Sequence, residues 1–265
     1  NHALGAQGRG GGIHAGGLSL VDSLVTQNTS GTRGGGVHGS STVSTVSIES
    51  STISDNTSYS HGGGIVSFGD VTLSNSTVSG NRSISDSSSF SRGAGLLSYG
   101  ETVINYSSVF DNHAVVINKQ GGGVWTQSES LKTRGSIIAG NTAGNNSPDI
   151  WNGAGPLIIE HTIVGDNSGT SLTEAQTPDA NGNLIGSAAG VGIINPLLGP
   201  LQDNGGPTFT HALLAGSPAI DMGDPAFAAP PDFDQRGTGF ERVVGGSIAI
   251  GAYQVQISTN HVDFD

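Results

Sequence analysis

Cysteine is absent from the 265 residues, which excludes disulfides, thiolate metal sites and cysteine nucleophiles. Aromatic residues make up only 5% and charged residues 11%, far from the Leu- and Lys/Glu-rich balance of helical proteins. Positive charge is scarce: 9 Lys and Arg stand against 21 Asp and Glu, a formal net charge of -12. That balance argues against nucleic acid or an anionic membrane as a main partner. No apolar run approaches the roughly 18 residues needed to span a bilayer, so no transmembrane segment is expected in this chain. The opening Asn1-His2-Ala3-Leu4 has neither a charged n-region nor an apolar h-region, so any signal peptide or anchor is expected outside it.

Glycine, by contrast, is plentiful at 44 residues, and 34% of the chain is hydrophobic with many Val and Ile. Such a chain can bury a core despite its Gly and Ser. The glycines are periodic. A Gly triplet followed by an apolar residue occurs at Gly10-Gly11-Gly12-Ile13, Gly34-Gly35-Gly36-Val37, Gly62-Gly63-Gly64-Ile65, Gly93-Ala94-Gly95-Leu96 and Gly121-Gly122-Gly123-Val124. A second pattern, Ser or Thr, any residue, Val or Ile, any two residues, then Asn, ends at Asn28, Asn56, Asn81, Asn112, Asn141 and Asn167. By subtraction these Asn are 28, 25, 31, 29 and 26 residues apart.

A period in that range means a solenoid, propeller or array. Between the markers lie short alternating stretches such as Val71-Thr72-Leu73-Ser74 and Ser51-Thr52-Ile53-Ser54, with strand periodicity and β-branched content. No repeat carries an amphipathic helix pattern or the WD signature of a propeller. The fold class expected is therefore all-β: a right-handed parallel β-helix of about seven coils, each with about three short strands. Residues 1–194 would form the solenoid. Residues 195–265, which lose the repeat and are rich in Pro, would form an irregular C-terminal cap wrapping the last coil and shielding its strand edges.

Stacking gives each recurring position a task. The Gly triplet turns the backbone where a positive φ is needed, and the following aliphatic points inward. Val25, Ile53, Val78, Val109, Ile138 and Val164 form a buried column. The six Asn turn the next corner, tolerating left-handed φ and bonding amide to amide as a structural ladder. The Ser- and Asp-rich stretch 82–91 is expected as a loop extruded from the stack.

The pairing of GGGI-type and (V/I)xxN motifs resembles the repeats of polymorphic outer-membrane proteins and of other bacterial parallel β-helix surface proteins. The later motifs are Ser147-Pro148-Asp149-Ile150, Gly182-Asn183-Leu184-Ile185-Gly186 and the run from Asn195-Pro196-Leu197 to Gly205-Gly206-Pro207-Thr208. Then come Gly216-Ser217-Pro218-Ala219-Ile220-Asp221, Asp234-Gln235-Arg236-Gly237 and Ile250-Gly251-Ala252-Tyr253. This series is similar to the choice-of-anchor Q domain. The resemblance implies a β-helix outside the bacterial cell, attached through a variable C-terminal anchor, and it brings no shared catalytic residues. Nothing after Tyr253 is similar to a sorting signal or a membrane-anchoring tail.

Two sets of residues could carry chemistry. Arg9, Arg33, His61, Arg92 and Gln120 each precede a Gly triplet, so stacking predicts one polar, largely basic column, the candidate ligand-binding site. An anionic polysaccharide or lipid headgroup would neutralise it; the alternative is counter-charge from nearby Asp or from the C-terminal segment. His14 and His38 also occupy matching positions. Asp55, Asp111 and Asp166 share the place before the Asn, but Gln27, Gly80 and Gly140 interrupt them; Glu49, Asp70 and Glu101 are spread over different coils. Asp221, Asp234 and Arg236 read as an ion-pair cluster of the cap. No catalytic or metal-ligating residue is assigned and no cofactor is expected, although turn aspartates such as Asp232 and Asp234 could hold a structural calcium.

The function expected is a non-catalytic structural or adhesive module, extracellular or on the bacterial cell surface. Its partners would be copies of itself, other surface proteins or polysaccharide. The alternative is a lyase, hydrolase or epimerase acting on a uronic-acid polymer.

Overall fold

The computed structural model describes residues 1–4, 8–43, 45–84, 92–115, 120–127, 129–144, 148–153 and 155–256. Most of the expected loop over 82–91 lies outside them. The described chain is an all-β parallel solenoid in which every coil contributes one strand to each of four sheets. In chain order, the first sheet holds two-residue strands from His2–Ala3 to Thr142–Ala143. The second runs from Ile13–Ala15 to Ile150–Asn152, the third from Leu18–Val21 to Leu157–Glu160, and the fourth from Leu24–Thr26 to Leu184–Ile185. Among the described residues three sheets hold six strands and the fourth holds seven, so the stack is shorter than about seven coils. After Asn167 the chain leaves the stack and returns only for Leu184–Ile185.

Each coil also has four strands where about three were expected, because left-handed residues cut it into short pieces. The first Gly of each triplet, at Gly10, Gly34, Gly62, Gly93 and Gly121, has φ between 56 and 65°. A second bend falls on Asp22, Ser50, Asn75, Tyr106, Gly135 and His161, with φ from 45 to 58°, splitting the third strand from the fourth. The third bend falls on Gln27, Asp55, Gly80, Asp111 and Gly140, with φ from 54 to 67°. Asn28 and its equivalents therefore follow the bend and do not make it. Their task is to hold the corner.

Nδ2 of Asn28 donates to Oδ1 of Asn56 at 2.9 Å, and the contact repeats from Asn56 to Asn81, Asn81 to Asn112 and Asn112 to Asn141 at 2.9–3.0 Å. The same Oδ1 atoms accept the backbone N–H one coil below. At the end of the ladder Asn141 donates to Asp149 Oδ1, not to Asn167, whose amide turns to the Leu172 carbonyl. A parallel column of serines holds the second bend. The backbone N–H of Ser23, Ser51, Ser76 and Ser107 each reaches the hydroxyl of the next member, ending at Ser136, at 3.0–3.2 Å. Each of these hydroxyls donates to the carbonyl two residues earlier at 2.6–3.0 Å.

The core fills the tube between these corners. Val25, Ile53, Val78, Val109, Ile138 and Val164 stand in register in the fourth sheet. They meet Val37, Ile65, Leu96, Val124 and Ile150 of the second sheet and Ile48, Leu73 and Ile104 of the third. Fully burying each such side chain contributes roughly 1.5–3 kcal/mol.

The segment beyond Asn195 runs lengthwise along the outer face of the fourth sheet. Gln235 donates to Thr52 Oγ1 and accepts from Thr77 Oγ1, His211 meets Ser79, and the Ala252 N–H reaches Ser108 Oγ. Farther along, Ile137, Ile163 and Leu184 point outward into a second apolar cluster with Leu213, Ala219, Ala249 and Ile250. The fourth sheet is thus covered on both faces, as parallel sheets require. The last coil is closed by an earlier stretch: Ala175 pairs antiparallel with Ile185, and Leu172 and Ala175 pack on the end of the core. Within the flanking segment Arg236 binds Asp234 and lies between the Phe240 and Tyr253 rings, whereas Asp221 makes a separate turn at φ 58°.

Two stability predictions follow from the ladder. Asn81→Ala strands the buried donors of Asn56, so it should lower unfolding free energy by about 2–4 kcal/mol in urea titration. Asn167→Ala, outside the ladder, should lose about 1 kcal/mol or less. Burial raises the Asp149 carboxyl from 3.8 to about 7, opposed by the N–H groups of Asn141 and Asp166. Its contribution is complete below the unfolded value and lost as pH rises through the folded one. Asp149→Asn should therefore show a smaller fall in urea midpoint from pH 4 to pH 8 than the wild type.

Candidate functional site

The predicted basic column forms on the edge of the second sheet. Arg9 bridges to Arg33, Arg33 to His61 and Arg92 to Gln120 in parallel register, and the Gly62 N–H bonds to the Arg92 carbonyl, closing the series. Arg9 and Gln120 are exposed; Arg33, His61 and Arg92 are half-buried. Among the described residues Arg9 and Arg33 form no ion pair with a carboxylate.

Beside this column lies a chain of rings that the sequence reading caught only at its start. His14, His38, Trp125 and Trp151 occupy the outward position after the core aliphatic; Phe68 and Tyr99 stand two residues further on in the intervening coils. Consecutive ring centroids are 4.7 Å apart for His14 and His38, then 5.8, 5.1, 5.7 and 4.7 Å through Phe68, Tyr99, Trp125 and Trp151. Every one of the six coils supplies one ring. The signal was present at the four in-register positions, but Phe68 and Tyr99 stand at another phase of the repeat and break the pattern.

Column and rings meet as cation–π pairs. The Arg33 guanidinium sits 5.4 Å from the Phe68 centroid, and that of Arg92 sits 4.8 Å from Trp125. Phe68, Tyr99 and Trp151 keep part of their surface exposed, while His38 and Trp125 are 0% and 1% exposed. Both His38 ring nitrogens and the Trp125 indole N–H lack hydrogen-bond partners. Such groups are rare in native interiors.

A groove lies on another side of the solenoid, between the third bend and the hairpin of Leu198–Gln202 with Thr210–Leu213. Its volume is about 540 Å³, and Asp55, Asp111, Phe110, Phe209 and His211 line it. Asp55 and Asp111 are two coils apart, which at the inter-strand spacing is about 9.6 Å between backbones. Gly80 between them leaves room: a Cβ there would come within 2.5 Å of Asp55 Oδ1. Desolvation and the nearby Asp111 push the Asp55 carboxyl above its usual range. Asp111 instead lies 3.0 Å from His113 Nε2. His211 donates Nδ1–H to the Gly199 carbonyl and accepts from the Ser79 hydroxyl, and burial lowers its pKa.

Asp166, third of that acidic position, is separated from this groove and lies in a neighbouring cavity of about 350 Å³ with Asp149. Asp70 and Glu101 meet at one end of the third sheet, where Glu101 pairs with Lys132, while Glu49 stands at the other end. Among the described residues no three His, Asp or Glu side chains converge on a point able to hold a metal ion. The Asp234 carboxylate is occupied by Arg236 and the Gln254 N–H. None of the described residues forms a helix long and apolar enough to cross a membrane.

Burial, with the charges of His14, Arg9 and Arg33, lowers His38 from 6.5 to about 4. A depressed folded value means that its contribution is present above pH 6.5 and lost as pH falls toward 4. His38→Phe should therefore narrow the drop in urea midpoint between pH 7 and pH 4; an unchanged drop would show that His38 carries none of it. No known protein family matches the sequence, and neither curated proteins nor solved structures give a significant match.

Proposed function

We propose that this chain is an extracellular structural and adhesive module of a bacterial surface protein, and that it holds polysaccharide along the ring and cation stripe without cleaving it. The observation that carries the reading is the series of six rings flanked by arginines, of which His14, Phe68, Tyr99 and Trp151 reach the surface. Ring faces accept the apolar face of a pyranose, and guanidinium groups take carboxylate or sulfate in bidentate fashion. A solenoid is suited to this because its stacked strands keep such groups at a fixed pitch. The -12 net charge makes the stripe a local exception, so binding should weaken with salt. The likeness of the repeats to bacterial β-helix surface proteins supports the location, and the flat outer rows of Ser19, Ser47 and Thr72 offer a surface for lateral contact with other copies.

Affinity electrophoresis in gels containing acidic or neutral polysaccharide tests the reading. The wild type should be retarded by the acidic polymers, and Arg33→Ala should migrate about as it does in a blank gel. Equal mobility of the two proteins in every gel would remove the stripe as a binding site.

The carboxylates of the groove favour one second reading, glycoside hydrolysis, at a place other than the basic column. Asp55 would donate a proton to the leaving oxygen, and Asp111 would activate water from the opposite side. Both carboxyl groups line the one groove, as an acid and base pair for glycoside hydrolysis must. Incubation with a glycan panel should then release reducing ends, at least about 100-fold more slowly in Asp55→Asn. If no glycan gives reducing ends with the wild type, the groove is not catalytic.

A further inference from the structure

We propose that the stripe takes a linear acidic polysaccharide lying parallel to the solenoid axis, its anionic groups met once per disaccharide by Arg33 and Arg92, each seated over a ring of the next coil. This rests on the binding reading above and adds the register and charge pattern of the ligand. Arg33 belongs to the second coil and reaches over a ring of the third; Arg92 belongs to the fourth and reaches over a ring of the fifth. The cation–π unit therefore repeats every two coils, about 9.6 Å. A pyranose in an extended chain advances by about one inter-strand spacing. In a two-fold chain, groups facing the same way recur on every second sugar, and the two periods coincide.

The intervening rings fit the same path. Tyr99 is stacked on Phe68 with a 4° interplanar angle, and Trp151 on Trp125 likewise, so partly exposed ring surface continues between and beyond the two cations. Charge selects an anion: Arg9 and Arg33 have no carboxylate partner among the described residues, in a chain of net charge -12. Cations set the spacing, and the partly exposed Phe68, Tyr99 and Trp151 rings favour a sugar over a bare polyanion.

Hyaluronan oligosaccharides, which carry one carboxylate per disaccharide, provide the test by titration calorimetry on the full chain. The tetrasaccharide should bind at least about tenfold more tightly than the disaccharide, since it can reach both arginines. Arg92→Gln should bring the tetrasaccharide down to about disaccharide affinity, and Arg33→Gln should do the same. Circular dichroism of each variant confirms that the β-structure is retained, and Arg92→Lys supplies a second, milder change that should fall between. Equal affinity for the two lengths, or no loss in Arg92→Gln and Arg92→Lys, overturns the two-coil register while leaving polysaccharide binding intact. Absence of binding by hyaluronan, alginate and polygalacturonate alike overturns the binding reading itself.

Discussion

Everything in this molecule depends on coils stacking in register through backbone hydrogen bonds, so that equivalent residues lie one strand spacing apart. A one-residue slip would reverse every inward and outward side chain of a strand. The corners prevent it. At two of the three bends in the first five coils a left-handed residue is followed by an Asn or a Ser, whose side chains tie neighbouring coils together through the backbone. Because these bonds are repeated in every pair of coils from Asn28 to Asn141, coil length varies through the loops while the corners remain aligned.

The same stacking multiplies whatever stands at a given position. Aliphatics become columns of core, serines and asparagines become ladders, and an aromatic or cation placed outward becomes part of a stripe. Spacing between outward groups is then set by the backbone, not by side-chain packing.

The flanking segment decides which faces remain exposed. By covering the outer side of the fourth sheet it buries Thr52, Thr77 and Ser108 under polar contacts and Ile137 and Ile163 under apolar ones. Its own integrity rests on two buried arginines. Arg236 is paired with Asp234 and sandwiched by rings. Arg242 is held by the Gly251 carbonyl over the Tyr106 ring, and burial lowers its pKa to about 10. The groove with Asp55 and Asp111 exists only because this segment folds back beside the third bend.

The amino-acid sequence determined the parallel solenoid, the inward columns, the Asn ladder up to Asn141 and the alignment of Arg9, Arg33, His61, Arg92 and Gln120. These follow from period and from the size and polarity of residues at equivalent positions. Four strands per coil were less legible, because the second bend falls on residues as unlike as Asp22, Tyr106 and His161, and only the Ser after it recurs. Contacts between positions of different repeat phase were decided by the tertiary structure alone: Phe68 and Tyr99 joining rings two residues away in register, Asp149 replacing Asn167 at the end of the ladder, and residues 195–256 lying along the flank. Periodicity relates a residue to its own copies; what it meets across coils of unequal length depends on how the chain packs in three dimensions.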